Sequence, residues 1–138
     1  ARCRIISPFH CDFGYNIYIG ENFFANSGLV ILDTARVNIG SNVLIGPQVG
    51  IYAAYHPLDV STRIAGFEAA KPITIRDNVW IGGHASILPG VTIGEGSVIG
   101  AGSVVARDIP PGVVAAGNPC RIIRHIENNG TTLPLKTC

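Results

Sequence analysis

The sequence predicts an all-β solenoid of short strands and tight corners. Three observations carry that prediction. Branched aliphatics recur every six residues. Glycine is abundant, at 17 of 138 residues. Hydrophobic residues reach 47% while aromatics stay at 7%. A chain of this length has room for one substantial core. Its charged fraction of 14% is too low for a disordered chain. A formal net charge of +1 supplies no basic field for nucleic acid. No apolar run approaches the length that crosses a membrane as a helix. The absence of methionine predicts a chain that does not begin at a natural start codon, being processed, truncated or a fragment.

The repeat reads Ile39, Ile45, Ile51, then resumes as Ile75, Ile81, Ile87, Ile93, Ile99 and Val105. Glycine follows directly at Gly40, Gly46, Gly82, Gly94 and Gly100. A small or branched residue stands four places after most of these aliphatics, from Val43 to Ser103. A period of six fits neither a helix nor a plain strand. It suits a short strand with one inward aliphatic, followed by a turn. Three such faces close a triangular coil of 18 residues, and coils stack at strand spacing, about 4.8 Å. The ladder aliphatics are therefore core. The earlier stretch from Ile19-Gly20 through Ala25 to Ile31 is offset by two residues, which predicts an irregular corner there.

Two stretches break the period. Residues 52–72 carry Tyr55-His56-Pro57 and read as a long loop extruded from the solenoid, a common location for function. At the other end, Asp108-Ile109-Pro110-Pro111-Gly112 closes the coils. Arg121 to Ile126 reads as a strand or cap, and the chain from Asn128 as a poorly ordered tail. The predicted division is a solenoid domain over 1–126 and a tail over 127–138. Cys3, Cys11, Cys120 and Cys138 form no CxxC pair and no zinc-like cluster, so they read as free thiols in a cytoplasmic setting. No signal peptide is visible in the first residues.

His56 opens the loop that interrupts the repeat, and its imidazole titrates near neutrality without much tuning, which suits a general base. His10 and His125 lie outside the repeat, and His84 sits in the Gly82-Gly83-His84 corner. Gly83 and Ala101 are one coil apart and should stack as a shallow column of small residues. Trp80 precedes an inward isoleucine, so it should face outward and line a subunit interface or a ligand cleft, where it is counted with the acceptor-binding residues.

The chain resembles the hexapeptide-repeat acyltransferases, in the branch of the maltose, galactoside and nodulation-factor O-acetyltransferases. The resemblance is carried by Phe24-Ala25-Asn26, Tyr55-His56-Pro57-Leu58-Asp59, Lys71-Pro72-Ile73 and Asn78-Val79-Trp80-Ile81-Gly82-Gly83. It continues through Leu88-Pro89-Gly90-Val91-Thr92-Ile93-Gly94, Gly100-Ala101-Gly102-Ser103-Val104-Val105 and Ala116-Gly117-Asn118-Pro119. It implies a left-handed parallel β-helix, a homotrimer with sites between subunits, and acetyl transfer from acetyl-CoA to a sugar hydroxyl with no metal required. It implies His56 as catalytic base, and Asn26 as an acceptor contact that helps organise the transition state. Asp12 and Asp33 are implied as acceptor-binding residues. Gly83 and Ala101 are implied as coenzyme A contacts, with Ala106, Arg107, Arg121 and Arg124 near its nucleotide end. Family members usually carry a helical segment ahead of this region that contributes to the acceptor pocket, so the chain reads as a fragment or a shorter variant.

Three other readings are weighed against this one. A metal-dependent lyase like the gamma carbonic anhydrases needs three histidines per zinc, and the four histidines here include no close pair. A non-sugar acceptor would use the same solenoid. So would a non-catalytic binding or structural protein.

Overall fold

A computed structural model describes residues 2–127, and the tail expected from Asn128 onward lies outside the described residues. The chain winds as a three-faced prism. The first face carries parallel strands Cys3–Ile5, Phe23–Ala25, Leu44–Ile45, Trp80–Ile81, Val98–Ile99 and Val113–Ala116, closed by the antiparallel strand Arg121–His125. The second face carries Phe9–Cys11, Leu29–Leu32, Gly50–Tyr52, Ser86–Ile87 and Val104–Val105. The third carries Ile17–Ile19, Val37–Ile39, Ile73–Ile75 and Thr92–Ile93. The predicted all-β solenoid is thus the observed fold.

The hexad aliphatics fill the prism. Ile45, Ile51, Ile75, Ile81, Ile87, Ile93 and Ile99 are buried, and Val43, Val49, Val79, Ala85 and Val91 fill the corners between them. Burying one such isoleucine stabilises the fold by about 1.5–3 kcal/mol. Ser97 and Ser103 occupy corner positions of the same series and are fully buried. Ser97 Oγ donates to the Pro110 carbonyl at 2.7 Å and accepts from the Val113 amide at 3.2 Å. Ser103 Oγ donates to Gly100 and accepts from the Gly117 amide. They stand where the coil tightens. Ile99 pairs with Ala115, a step of 16, whereas Ile87 pairs with Val105, a step of 18. The short coil leaves backbone groups that an aliphatic could not satisfy.

The first coils are longer than the hexad predicts. Cys11 pairs with Ile31 and Ile31 with Ile51, steps of 20. The extra residues fall at 12–16 and 33–36, so two corners are irregular rather than one. Both lie on the edge between the second and third faces. The extruded segment leaves from that same edge one coil later. It is not a plain loop: Ala54–Tyr55 pairs antiparallel with Ala69–Ala70, and a short helix spans Val60–Ile64. The Asp59 carboxylate caps that helix, accepting from the Thr62 amide at 2.8 Å and from the Ser61 and Thr62 hydroxyls. Those donors hold the Asp59 carboxyl down to about 2. The Arg63 guanidinium donates to the Pro57 and Leu58 carbonyls, fastening the turn just after His56.

The edge between the third and first faces is a polar ladder. Asn22, Asn42 and Asn78 all sit at φ between 54° and 61°, a region that asparagine tolerates better than most residues. Asn22 donates to Asn42 at 3.1 Å, Asn42 to Asn78 at 3.0 Å, and Asn78 to Glu95 at 3.2 Å. The Glu21 amide donates to Ser41 Oγ, and the Ser41 amide to Asp77. Among the described residues no helix is long and apolar enough to cross a membrane.

Candidate active site

The candidate residues fall on two edges of the prism. His56, Asp12, Asp33, Ala106 and Arg107 belong to the widened edge between the second and third faces. Asn26, Gly83 and Ala101 belong to the edge between the first and second faces. One chain therefore does not bring His56 and Asn26 to the same edge.

At the widened edge, pairing of Tyr55 with Ala69 leaves His56 opposite Glu68 as the two strands part. Both line a recess of about 480 Å³ with Leu32, Tyr52, Tyr55 and Leu88. Register explains its walls. Leu32 pairs with Tyr52, and Leu88 follows Ile87, which pairs with Ile51. Gly50 leaves the Tyr52 ring its place, because a Cβ there would overlap the phenol and displace it. The ring lies along the second face in the space that Gly50 leaves. His56 is exposed at the mouth of this mostly apolar recess.

Asp33 overturns its expected role as an acceptor ligand. Its side chain is fully buried. Its carboxylate accepts from the Phe13, Gly14 and Asn16 amides at 2.9, 2.7 and 3.3 Å. The Asn16 side chain donates to the Asp33 carbonyl at 2.8 Å. Burial raises the Asp33 carboxyl, but these amide donors outweigh it and hold the group below its ordinary value. A carboxylate with its oxygens taken up in this way has no room for a sugar hydroxyl. It fixes the 12–16 corner instead. Asp12, on that corner, is exposed.

On the other edge, Ile81 pairs with Ile99, so Gly83 stands over Ala101 as the spacing predicts. The Gly82 amide donates to Ile99 and the His84 amide to Pro47. The Gly83 amide between them has no backbone acceptor among the described residues, and a Cβ on Gly83 would press on Pro47 at 3.1 Å. An amide with no backbone partner, beside a position where a side chain would be crowded by Pro47, is suited to hold a carbonyl oxygen. One coil before Gly46, Asn26 Oδ1 accepts from the Ser27 amide at 2.8 Å, which aims its NH2 away from that amide.

Arg107 and Arg121 share a recess of about 450 Å³ beside Cys120, whereas Arg124 is not among its lining residues and pairs opposite Val114. Two guanidiniums lining one recess are a donor set chemically suited to an anion such as a phosphate. Burial pushes the Cys120 thiol up, against a hydrogen bond from Ser103 and the nearby Arg121 charge, so it is a poor nucleophile. Cys3 and Cys11 are exposed free thiols, and Cys138 lies outside the described residues. Trp80 faces outward at 53% exposure, as its place before Ile81 predicts. It heads no pocket. It lies in an apolar outward column with Phe24, Leu44, Val98 and Val114. The described residues include no group of three His, Cys, Asp or Glu placed to hold a metal ion.

Sequence reading missed Leu32, Tyr52, Leu88 and Glu68 as walls of the recess. The first three could have been found by counting from Ile31, Ile51 and Ile87, each of which they follow. Glu68 needs the hairpin register, which no period announces.

Residues 72–107 match the bacterial transferase hexapeptide (six repeats) family. The galactoside O-acetyltransferase of Escherichia coli K12 is 54% identical over 88% of this chain and 60% of its own length. The crystal structure of a maltose O-acetyltransferase from Clostridium difficile 630 superposes with a TM-score of 0.91 at 54% identity, covering 92% of this chain and 68% of that one. A hexapeptide-repeat acetyltransferase from Vibrio cholerae O1 biovar eltor, solved with acetyl coenzyme A, gives a TM-score of 0.86 at 49% identity over 88% of this chain and 66% of that one. The chain spans 60–64% of the length of the curated relatives it matches first. The fold is the left-handed parallel β-helix.

Proposed function

Because the chain belongs to the hexapeptide-repeat acyltransferase family, we propose that it transfers an acetyl group from acetyl-CoA to a hydroxyl of a sugar acceptor. The observation that carries this reading is His56, held at the mouth of an apolar recess by a hairpin that leaves the solenoid at its widened edge. A solved relative that holds acetyl coenzyme A supports the donor, and relatives named for galactoside and maltose support the acceptor class.

The roles follow from the chemistry. His56 takes the proton of the acceptor hydroxyl as its oxygen attacks the thioester carbonyl carbon. The Gly83 amide meets the oxygen that becomes negative. His56 then returns the proton to the sulfur as the carbon–sulfur bond breaks. The Asn26 NH2 and the Asp12 carboxylate orient the acceptor. Trp80 forms part of the wall around it. Ala101 keeps the track beside Gly83 shallow for the pantetheine arm. Ala106 leaves the approach to Arg107 open, and Arg107, Arg121 and Arg124 meet the phosphates of the nucleotide end.

Two copies of the chain are needed, because His56 and Asn26 stand on different edges of one prism. The outward column Phe24, Leu44, Trp80, Val98 and Val114 gives a face for such contact. So does the hairpin, where Leu58 is 93% exposed. A homotrimer joins the widened edge of one copy to the glycine edge of the next three times over. A cytoplasmic setting suits the donor and the free thiols.

The test is release of free coenzyme A thiol with a panel of sugars. Replacing His56 with alanine should lower turnover by about 10^2- to 10^4-fold, with folding and oligomeric mass unchanged. Undiminished thiol release would remove His56 from the reaction. No release with any sugar, together with no coenzyme A binding, would leave a non-catalytic solenoid.

A further inference from the structure

We propose that Pro47 and Gln48 form the floor of the acyl site, and that this floor selects acetyl over longer acyl donors. Register sets two columns side by side on the glycine edge. Ala25 pairs with Ile45, Ile45 with Ile81, and Ile81 with Ile99. Ser27, Pro47, Gly83 and Ala101 therefore stack in one column, and Gly28, Gln48, His84 and Gly102 in the next. Toward the later coils the edge is open. Ala101 carries only a methyl group, and a Cβ on Gly102 would meet nothing within 4 Å. Toward the earlier coils it is filled. A Cβ on Gly83 would lie 3.2 and 3.3 Å from Cδ and Cγ of Pro47. In the neighbouring column Gln48 sits at φ 58°. Its carboxamide folds over Gly28, where a Cβ would come within 2.7 Å of Cδ and Nε2. The run of small residues thus ends on a proline ring and a folded glutamine.

The direction of the donor gives this end its meaning. The arginines that meet the nucleotide belong to the last coils, and the Gly83 amide holds the carbonyl oxygen at the other end of the arm. The acyl tail then points at Pro47 and Gln48. An acetyl group ends one carbon past its carbonyl. Each further methylene needs about 3.5–4 Å to the next carbon, and successive coils lie only about 4.8 Å apart. A longer chain must either displace the proline ring and the glutamine or pull its carbonyl off the Gly83 amide. The second outcome costs rate, because the reacting atoms lose their alignment.

This inference rests on the acetyltransferase reading, and its test keeps the two apart. Steady-state thiol release with maltose gives kcat/KM for acetyl-CoA, propionyl-CoA and butyryl-CoA. The parent should lose about tenfold or more for each added methylene. Pro47→Ala removes the ring and should raise the ratio of butyryl to acetyl about tenfold. Gln48→Gly places glycine at a φ it favours and should raise the same ratio by a smaller factor. The ratio is taken within each variant, so any loss of folded protein cancels. A parent that uses butyryl-CoA as well as acetyl-CoA, or a ratio that Pro47→Ala does not move, would overturn the floor and leave the acetyltransferase reading standing. If maltose accepts no acyl group, calorimetric titration of the full chain with acetyl-CoA and butyryl-CoA decides. Tighter binding of acetyl-CoA that Pro47→Ala evens out supports the floor. Equal binding by the parent, or a preference that Pro47→Ala leaves intact, sinks it. Binding of neither thioester would bring down the acetyltransferase reading and the floor with it.

Discussion

Two edges of the same prism use polar side chains in opposite ways. On the asparagine edge, Asn22, Asn42, Asn78 and Glu95 bond to one another from coil to coil. On the widened edge, Asp33 bonds only to backbone beneath it, while Asp12 and His56 are left exposed. The first edge uses its hydrogen-bonding capacity on itself and locks the stacking. The second has one buried group that stabilises the corner, and its neighbours remain open to a ligand. Position in the coil decides which: the asparagine edge keeps the hexad step, and the widened edge breaks it in three successive coils.

Variants can break this contrast or sharpen it. The largest effect belongs to His56→Ala, which should abolish most turnover while leaving the melting temperature where it was. A fall in both would mean that the widened edge is structural too. Next comes Asn42→Ala on the opposite edge. It removes two side-chain bonds and puts alanine at φ 56°, costing about 2 kcal/mol of stability in denaturant titration. Its kcat should match the parent. Asn42→Gly, which accepts that φ, should recover the backbone part of the loss. Gly50→Ala should evict the Tyr52 ring into the His56 recess and lower kcat/KM about tenfold. The double variant Gly50→Ala/Tyr52→Ala should restore part of that loss, and strict additivity of the two changes would refute the steric account.

The smallest effect is on acidity. The Asp59 carboxyl titrates near 2 in the folded hairpin, below its ordinary value of 3.8. Its cap is therefore fully effective above that ordinary value and is lost as pH falls through about 2. Protection of the Thr62 amide against hydrogen exchange, taken relative to its intrinsic rate at each pH, should hold to about pH 4 and fall as pH drops toward 2. Equal loosening of the Asn42 amide would erase the distinction.

The core was legible because a period states it many times over. Each inward isoleucine from Ile39 to Ile99 repeats one local rule, and a single misreading would not hide the rest. Only part of the site was legible. His56 announces itself by interrupting the period, and the Gly83–Ala101 column follows from a spacing of 18 that the register confirms. Asp33 was misread because an aspartate after an apolar strand looks the same whether it faces solvent or braces a corner. Its three amide donors decide, and they come from residues 17–20 positions away. Nothing in the sequence shows that Tyr52 folds back over Gly50. Information that lies in the pairing of one coil with the next does not appear in a single pass along the chain.

The reversed strand Arg121–His125 has a consequence beyond the site. An open parallel coil presents unpaired backbone to any other coil of the same shape, and stacked copies would grow into a filament. This strand runs against Val113–Ala116 with a register slip at Val114 and Ala115, so the last edge no longer matches the step of the coils. It also carries Arg121, Arg124 and His125, all exposed. Charge on that edge adds to the mismatch, since a second copy docking there would have to desolvate it.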